Sequence, residues 1–406
     1  MNDFTNKLMQ LRWAIKFRRR FRTPCAKPAI ALMVNGMERG GLEQVVMDLY
    51  HGYKARGYRV YIVCATWQID TIKDKLDAVE DVFVYQNDFD ALIQFLWRRD
   101  VRTLHYHFSV FCMRILHFMG FKTLYTMHNM YTFMDDTRIR EYAKKLEAAD
   151  RFVPVSAFVK DYFFARAQRT LGNCSVINNG VNFHELDSQE GELPISRQSL
   201  EIADTDIVIG FVASFYHAKH QIGMLGVMEK LVERYPNLKL VILGGEGDIN
   251  YRNAFMEELS RCTAKESIRV VPFFDHCYIG RFYRRLIDIF ALPTIHEGNP
   301  LTALEAMYCA KPMVLTPTGL AQELAQTAAC LVAEPAYEDV LQLTDMSAVT
   351  ALALQKHARN EDSLVECFSE IIDHLDEYKQ KAESCRENAL CYSTDHMVDE
   401  YVKIIK

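Results

Sequence analysis

The chain has 406 residues, half of them apolar and a quarter charged, which describes a soluble folded protein about twice the length of a usual domain and points to two domains, each with its own core. A net charge of −6 gives no general reason to expect nucleic acid, although one local cluster runs the other way, and eleven cysteines scattered from Cys25 to Cys391 without a C-x-x-C pair fit neither a zinc site nor a disulfide framework and suit reduced thiols in the cytosol. No apolar run approaches the roughly 18 residues that cross a bilayer, so an integral membrane protein is not expected.

Near the start, Phe4, Leu8, Leu11 and Ile15 recur at helical spacing among Lys7, Arg12, Lys16, Arg18, Arg19, Arg20 and Arg22, and Pro24 ends the pattern. This predicts a basic amphipathic helix. Two readings stand: peripheral attachment to an anionic leaflet, or an apolar stripe packed on the protein body with its charges in solvent. The density of cations serves no evident packing purpose and favours the first. No continuous apolar segment follows the charges, so a secretory signal is not expected.

Residues 29–34 form an apolar run of strand length, followed by Asn35-Gly36-Met37-Glu38-Arg39-Gly40-Gly41 and a helical pattern over 42–56. A strand, a glycine turn and a helix open a doubly wound fold, and paired glycines let the backbone approach a bound group closely. A plain tight turn is the alternative, and the absence of G-x-G-x-x-G argues against a dinucleotide site. Further strands are predicted at 59–64, 82–85, 102–105, 122–127 and 151–155, alternating with helices as in a parallel sheet. His105 and His107 share one strand face, where packing outweighs metal binding, and His128 closes a strand at its carboxyl edge. Residues 184–206 are polar and acidic and read as a linker.

A second alternation places strands at 207–212, 239–243, 268–271, 288–292 and 312–315. The stretch His296-Glu297-Gly298-Asn299-Pro300-Leu301 then carries the chemistry. Asn299 is a good N-cap and Pro300 a good first helical residue, so a helix is expected to begin at Pro300. Its free amides and positive dipole end make an anion site, with Glu297 in the loop ahead and Glu305 inside the helix. Acids beside an anion repel it unless they bind something else; as hydroxyl acceptors for sugars on either side of a diphosphate, they describe a nucleotide-sugar site. The plainer alternative is a loop acid and a solvated acid among the core residues Leu301, Leu304 and Met307. Beyond Glu338 the pattern is helical, with a final helix over 397–404.

Glu297 and Glu305, with seven residues between them, resemble the Glu-x7-Glu motif of GT-B glycosyltransferases of family GT4, and residues 287–293 read as the buried strand that feeds it there. Gly40-Gly41-Leu42-Glu43 resembles that family's first glycine loop, which approaches the donor diphosphate and the acceptor. His128 matches a histidine placed against acceptor and donor sugar. Val155-Ser156 and 176–181 resemble its V-S and I-x-N-G-V segments, with Asn179 where proline is common. Over Ala213-Ser214-Phe215-Tyr216-His217-Ala218-Lys219 the family has G-R-L-x-x-x-K; Lys219 matches the phosphate-binding lysine, and Ser214 replaces the arginine, which weakens the charge available for the diphosphate. Gly244-Gly245-Glu246-Gly247 resembles the turn near the nucleotide, and Gly319 and Glu323 are what remains of a later segment.

The resemblance implies an α/β, GT-B fold: two Rossmann-like doubly wound domains facing a central cleft, with a last helix that crosses back. The boundaries read as a basic segment 1–28, an acceptor-side domain 29–183, the linker 184–206, a nucleotide-sugar domain 207–388 and the crossing helix 389–406. The activity expected is retaining transfer of a sugar from a nucleotide donor to a hydroxyl acceptor, a glycan or lipid-linked glycan in bacterial surface polysaccharide assembly. Glu297, His128 and Lys219 are the catalytic candidates; Gly40, Gly41, Ser214, Lys219, Gly245, Asn299, Pro300, Leu301 and Glu305 are the donor-binding ones. By the same resemblance Glu297 holds the donor sugar's hydroxyls and Glu305 the ribose, and the leaving phosphate assists the attack. Lys219 and the helix amides can offset the leaving charge without a metal. No cofactor is expected beyond a UDP- or GDP-sugar co-substrate. The expected location is cytoplasmic, peripheral on the inner face of the membrane. A sugar-nucleotide 2-epimerase of the same fold and a non-catalytic sugar-nucleotide scaffold are the alternatives.

Overall fold

Apolar runs such as Ala29–Val34, buried at all six positions, must be covered on both faces, which in a soluble chain calls for a parallel sheet between layers of helices. The computed structural model describes residues 3–25, 27–37, 41–66, 76, 78–187, 192–245 and 247–405, with no side-chain description for residues 3–6 and 79. The chain forms two units: Met1–Asn129 with Asp136–Gly180 and Thr394–Lys406, and Met130–Asp135 with Val181–Ser393.

In the first unit, β1 (Ala29–Val34), β2 (Val60–Cys64), β3 (Val82–Val84), β4 (Val101–His107), β5 (Lys122–Met127) and β6 (Arg151–Pro154) form a parallel sheet in the order β3-β2-β1-β4-β5-β6. That is the doubly wound order, whose direction reverses between β1 and β4 and leaves a crevice at their carboxyl ends. The helix Gly41–Ala55 follows β1, and the last helix, Thr394–Ile405, packs on it. The two approach closely because residue 52 is glycine: a Cβ there would lie 2.4 Å from Cγ2 of Val398. Arg56 pins the contact through Asp399 at 2.6 Å, and Tyr401 is buried with its hydroxyl 2.8 Å from Oγ1 of Thr126.

The N-terminal helix spans Asp3–Phe21 and belongs to this unit. It docks through aromatic residues and not through the aliphatic stripe singled out above. Phe17 is buried, with its ring 4.7 Å from Phe121 and 5.2 Å from Trp97. Trp13 lies 5.8 Å from Trp97, and Arg20 pairs with Asp100 at 2.9 Å while covering the Trp97 ring.

The second unit repeats the pattern with β7 (Ile207–Val212), β8 (Leu238–Gly244), β9 (Ile268–Pro272), β10 (Ile289–Leu292), β11 (Met313–Leu315) and β12 (Cys330–Val332), ordered β12-β11-β10-β7-β8-β9 and all parallel. The switch point falls between β7 and β10. Sequence patterning missed β12, three residues within an alanine-rich run. The stretch 184–206 is not a free spacer. Leu186 is buried, Arg284 donates to its carbonyl at 2.5 Å and to Asp187 at 2.6 Å, and Arg197 pairs with Asp288 at 2.8 Å. Among its described residues, Asp187 and Arg197 thus tie the stretch to the second unit. Residues 389–393 likewise belong to that unit.

Candidate functional site

In the second unit the loops that leave β7 and β10 at their carboxyl ends flank the switch point, where open α/β sheets take their ligands. The β7 loop runs through Ser214 into a single turn, His217–Lys219. The β10 loop runs through His296 and Glu297 to the helix Leu301–Tyr308. A backbone bond from Ile295 N to Ala218 O at 2.8 Å fastens the two, and Nζ of Lys219 donates to Glu297 Oε1 across them. His296, directly before Glu297, is half-buried; loss of solvent and the nearby charge of Lys219 lower its pKa to about 4, so it is neutral, and its Nε2 lies 3.2 Å from Oγ1 of Thr132.

The acidic loop is held from behind. Gly319 adopts a φ of +59°, and a Cβ there would lie 3.0 Å from Pro300 Cδ and 3.3 Å from Gly298 O. Only glycine takes that backbone without strain this close to the loop. Thr316 Oγ1 donates to Thr294 O at 2.5 Å. The helix starts one residue later than expected: Pro300 is the N-cap, with ψ of 108°, and Leu301 is the first helical residue. Proline's fixed φ suits the cap as well as the first turn, so Asn299, buried, is displaced from the cap into the loop. The helix still presents its first amides and positive dipole end beside Glu297.

Glu305 lies in the second turn and is buried. Tyr283 donates to its Oε2 at 3.0 Å, and His276 Nε2 donates to its Oε1 at 3.0 Å. Nδ1 of His276 is 3.2 Å from Oε2 of Glu185. Burial pulls the imidazole's pKa down, but the hydrogen bonds and charge of Glu185 and Glu305 win and raise it to about 10, so His276 is a cation between two carboxylates. At the end of β8, Gly245 lies against Ser214, a Cβ on it reaching within 3.1 Å of Ser214 Oγ. Thus Lys219, Glu297, Pro300, Leu301 and Glu305 are gathered in one unit with the Ser214–Gly245 contact.

The first unit holds the remaining candidates. Gly41 is exposed at the start of the helix Gly41–Ala55; Gly40 lies outside the described residues. His128 follows β5, and its Nε2 is 2.9 Å from Nδ1 of His107 at the end of β4. Burial lowers the His128 pKa to about 3 and, with the neighbouring imidazoles, lowers that of His107 as well, so the two form a neutral N–H···N pair. His105 is occupied by Thr126 at 2.8 Å and Tyr53 at 3.2 Å. Spacing alone missed His276, Tyr283, Glu185 and Thr132, which reach the site from separate segments. His107 was noticed only as a candidate for packing or metal.

Comparison with known proteins follows the same division. A family described as Glycosyl transferases group 1 matches residues 194–344, and Glycosyltransferase Family 4 matches residues 39–185. An uncharacterised glycosyltransferase of Methanocaldococcus jannaschii is 27% identical over 188 residues, 45% of this chain and 46% of that protein. The lipopolysaccharide core biosynthesis mannosyltransferase LpsB of Rhizobium meliloti is 30% identical over 170 residues, 40% of this chain and 47% of that protein. The chain thus spans less than half the length of the curated relatives it matches. Among solved structures, Anabaena HepE in complex with UDP and glucose superposes with a TM-score of 0.71 at 15% identity, over 93% of this chain and 99% of that one, which establishes the fold they share.

Proposed function

We propose that this chain, which belongs to the GT-B-fold glycosyltransferases of the group 1 and family 4 type, moves a sugar from a nucleotide-sugar donor to a hydroxyl acceptor with retention of anomeric configuration. The observation that carries the reading is the Lys219–Glu297 pair at the switch point, beside the amino end of the Leu301–Tyr308 helix. A diphosphate leaving group gathers negative charge as its bond to the sugar breaks. In this reading Lys219 and the first amides of that helix stabilise it, with no metal required.

Glu297 accepts hydrogen bonds from the donor sugar, Glu305 from the ribose, and Ser214, Gly245, Asn299, Pro300 and Leu301 border the nucleotide. Gly40 and Gly41 approach the diphosphate. His128, neutral through burial, offers a sugar hydroxyl a hydrogen bond without a charge. The acceptor oxygen bonds to the anomeric carbon as the diphosphate departs from the same face and takes the acceptor's proton, so no side-chain nucleophile is invoked. A UDP- or GDP-sugar is the proposed donor, an idea supported by the UDP and glucose named with HepE. A glycan or lipid-linked glycan of a bacterial surface polysaccharide is the proposed acceptor, supported by the name of the Rhizobium meliloti relative. The proposed setting is the cytoplasm, at the inner face of the membrane.

Labelled UDP- and GDP-sugars incubated with and without glycan acceptors test the reading. Label that moves only when acceptor is present supports transfer. Inversion at C2 of the donor without acceptor would replace transfer with 2-epimerisation, and no turnover of any bound donor would leave a scaffold.

A further inference from the structure

The N-terminal helix has two apolar sides, and only one is used. Its aromatic side, Trp13 and Phe17, is spent on Trp97 and Phe121. Leu8, Leu11 and Ile15, three and four residues apart and therefore on one side, remain 42%, 48% and 47% exposed. Packing of this stripe on the body, the bland alternative, would require the reverse. One turn beyond Ile15, Arg18 donates to Phe118 O at 2.5 Å and covers the Phe118 ring, and that ring, 48% exposed, continues the strip. Arg12, Lys16, Arg19 and Arg22 flank it and are exposed, in a chain whose net charge is −6. Among the described residues no helix is long and apolar enough to cross a membrane.

We propose that this outward face, Leu8, Leu11, Ile15 and Phe118 bordered by Arg12, Lys16, Arg19 and Arg22, is a docking surface for an anionic lipid bilayer, on which the helix lies flat. The proposal deepens the membrane setting given above. Its geometry suits a bilayer because aliphatic side chains enter the acyl boundary while guanidinium and ammonium groups at the flanks meet headgroup phosphates. A second copy of the same face would bring cations against cations, and a nucleic acid would leave the aliphatic strip unused. The aromatic dock means that the helix is already folded when it meets lipid, so association carries no ordering cost for that segment.

The full chain is tested by co-sedimentation with phosphatidylcholine vesicles containing or lacking phosphatidylglycerol. Binding is expected only with phosphatidylglycerol and is expected to weaken as salt rises. Leu8→Gln, Leu11→Gln and Ile15→Gln together should lower partition roughly tenfold or more, and Arg12→Gln, Arg19→Gln and Arg22→Gln should do the same. Because all six side chains are exposed, both variants should melt with the wild type and turn over a soluble acceptor at its rate. That separates failure here from failure of the transfer reading. Equal vesicle binding by wild type and both variants would overturn the proposal. Self-association that the leucine and isoleucine changes abolish, or RNA binding that only the arginine changes abolish, would overturn it in favour of another partner.

Discussion

His276→Gln removes the bridging cation from between two carboxylates while keeping a hydrogen-bonding side chain of similar reach. A pKa lifted from 6.5 to about 10 corresponds to about 5 kcal/mol for a wholly buried group. The His276 side chain is 40% exposed, and water screens that to about 1–2 kcal/mol. Because the folded pKa is raised, the contribution is complete below the unfolded value of 6.5 and is lost as pH climbs through about 10. For a unit of this size each kcal/mol moves the melting temperature by about 2–4 °C, so the variant should melt roughly 2–8 °C below wild type at mildly acidic pH. The gap should close towards pH 10. Differential scanning calorimetry of both proteins across this range measures it. A gap that does not change with pH, or none at all, would refute the bridging cation between Glu185 and Glu305.

Lys219→Ala is expected to lower transfer roughly 10- to 150-fold, the worth of a charge-assisted phosphate contact of about 1.5–3 kcal/mol. Adding Ser214→Arg should restore part of that loss, and steady-state kinetics decides both. Glu297→Gln should abolish most transfer while the circular dichroism melt stays put; activity within about twofold of wild type would remove the assignment. Treatment with a chelator should leave turnover intact, which a rate assay with and without added Mg²⁺ or Mn²⁺ checks.

The sheets were legible because their strands are apolar runs buried on both faces, as at Ala29–Val34 and Ile207–Val212. β12 was not, because three residues among alanines carry neither periodicity nor a β-branched run. The Glu297 loop was legible from its glycine, proline and acids, but the helix start slipped by one, since a proline φ of −74° fits the cap and the first turn alike. Lys219 and Glu297 are 78 residues apart, and what joins them is strand order, which motif spacing does not contain. The cluster around Glu305 draws Glu185, His276 and Tyr283 from three segments, and nothing local in any of them announces a carboxylate partner. At the N-terminus the aliphatic spacing was read as one side of a helix, yet it was the aromatic residues on another side, Trp13 and Phe17, that settled which side faces the protein.

The docking of Thr394–Ile405 on the first unit also sets an order of assembly during synthesis. The ribosome completes residues 181–393, the bulk of the second unit, before the helix that covers Gly41–Ala55 exists. At about 5–20 residues per second that interval is roughly 10–40 s. Throughout it the groove at Gly52 and the hydroxyl of Thr126 lack Val398 and Tyr401, so the nascent first unit offers an uncovered apolar flank to chaperones, and a stop codon shortly before residue 394 would make that exposure permanent.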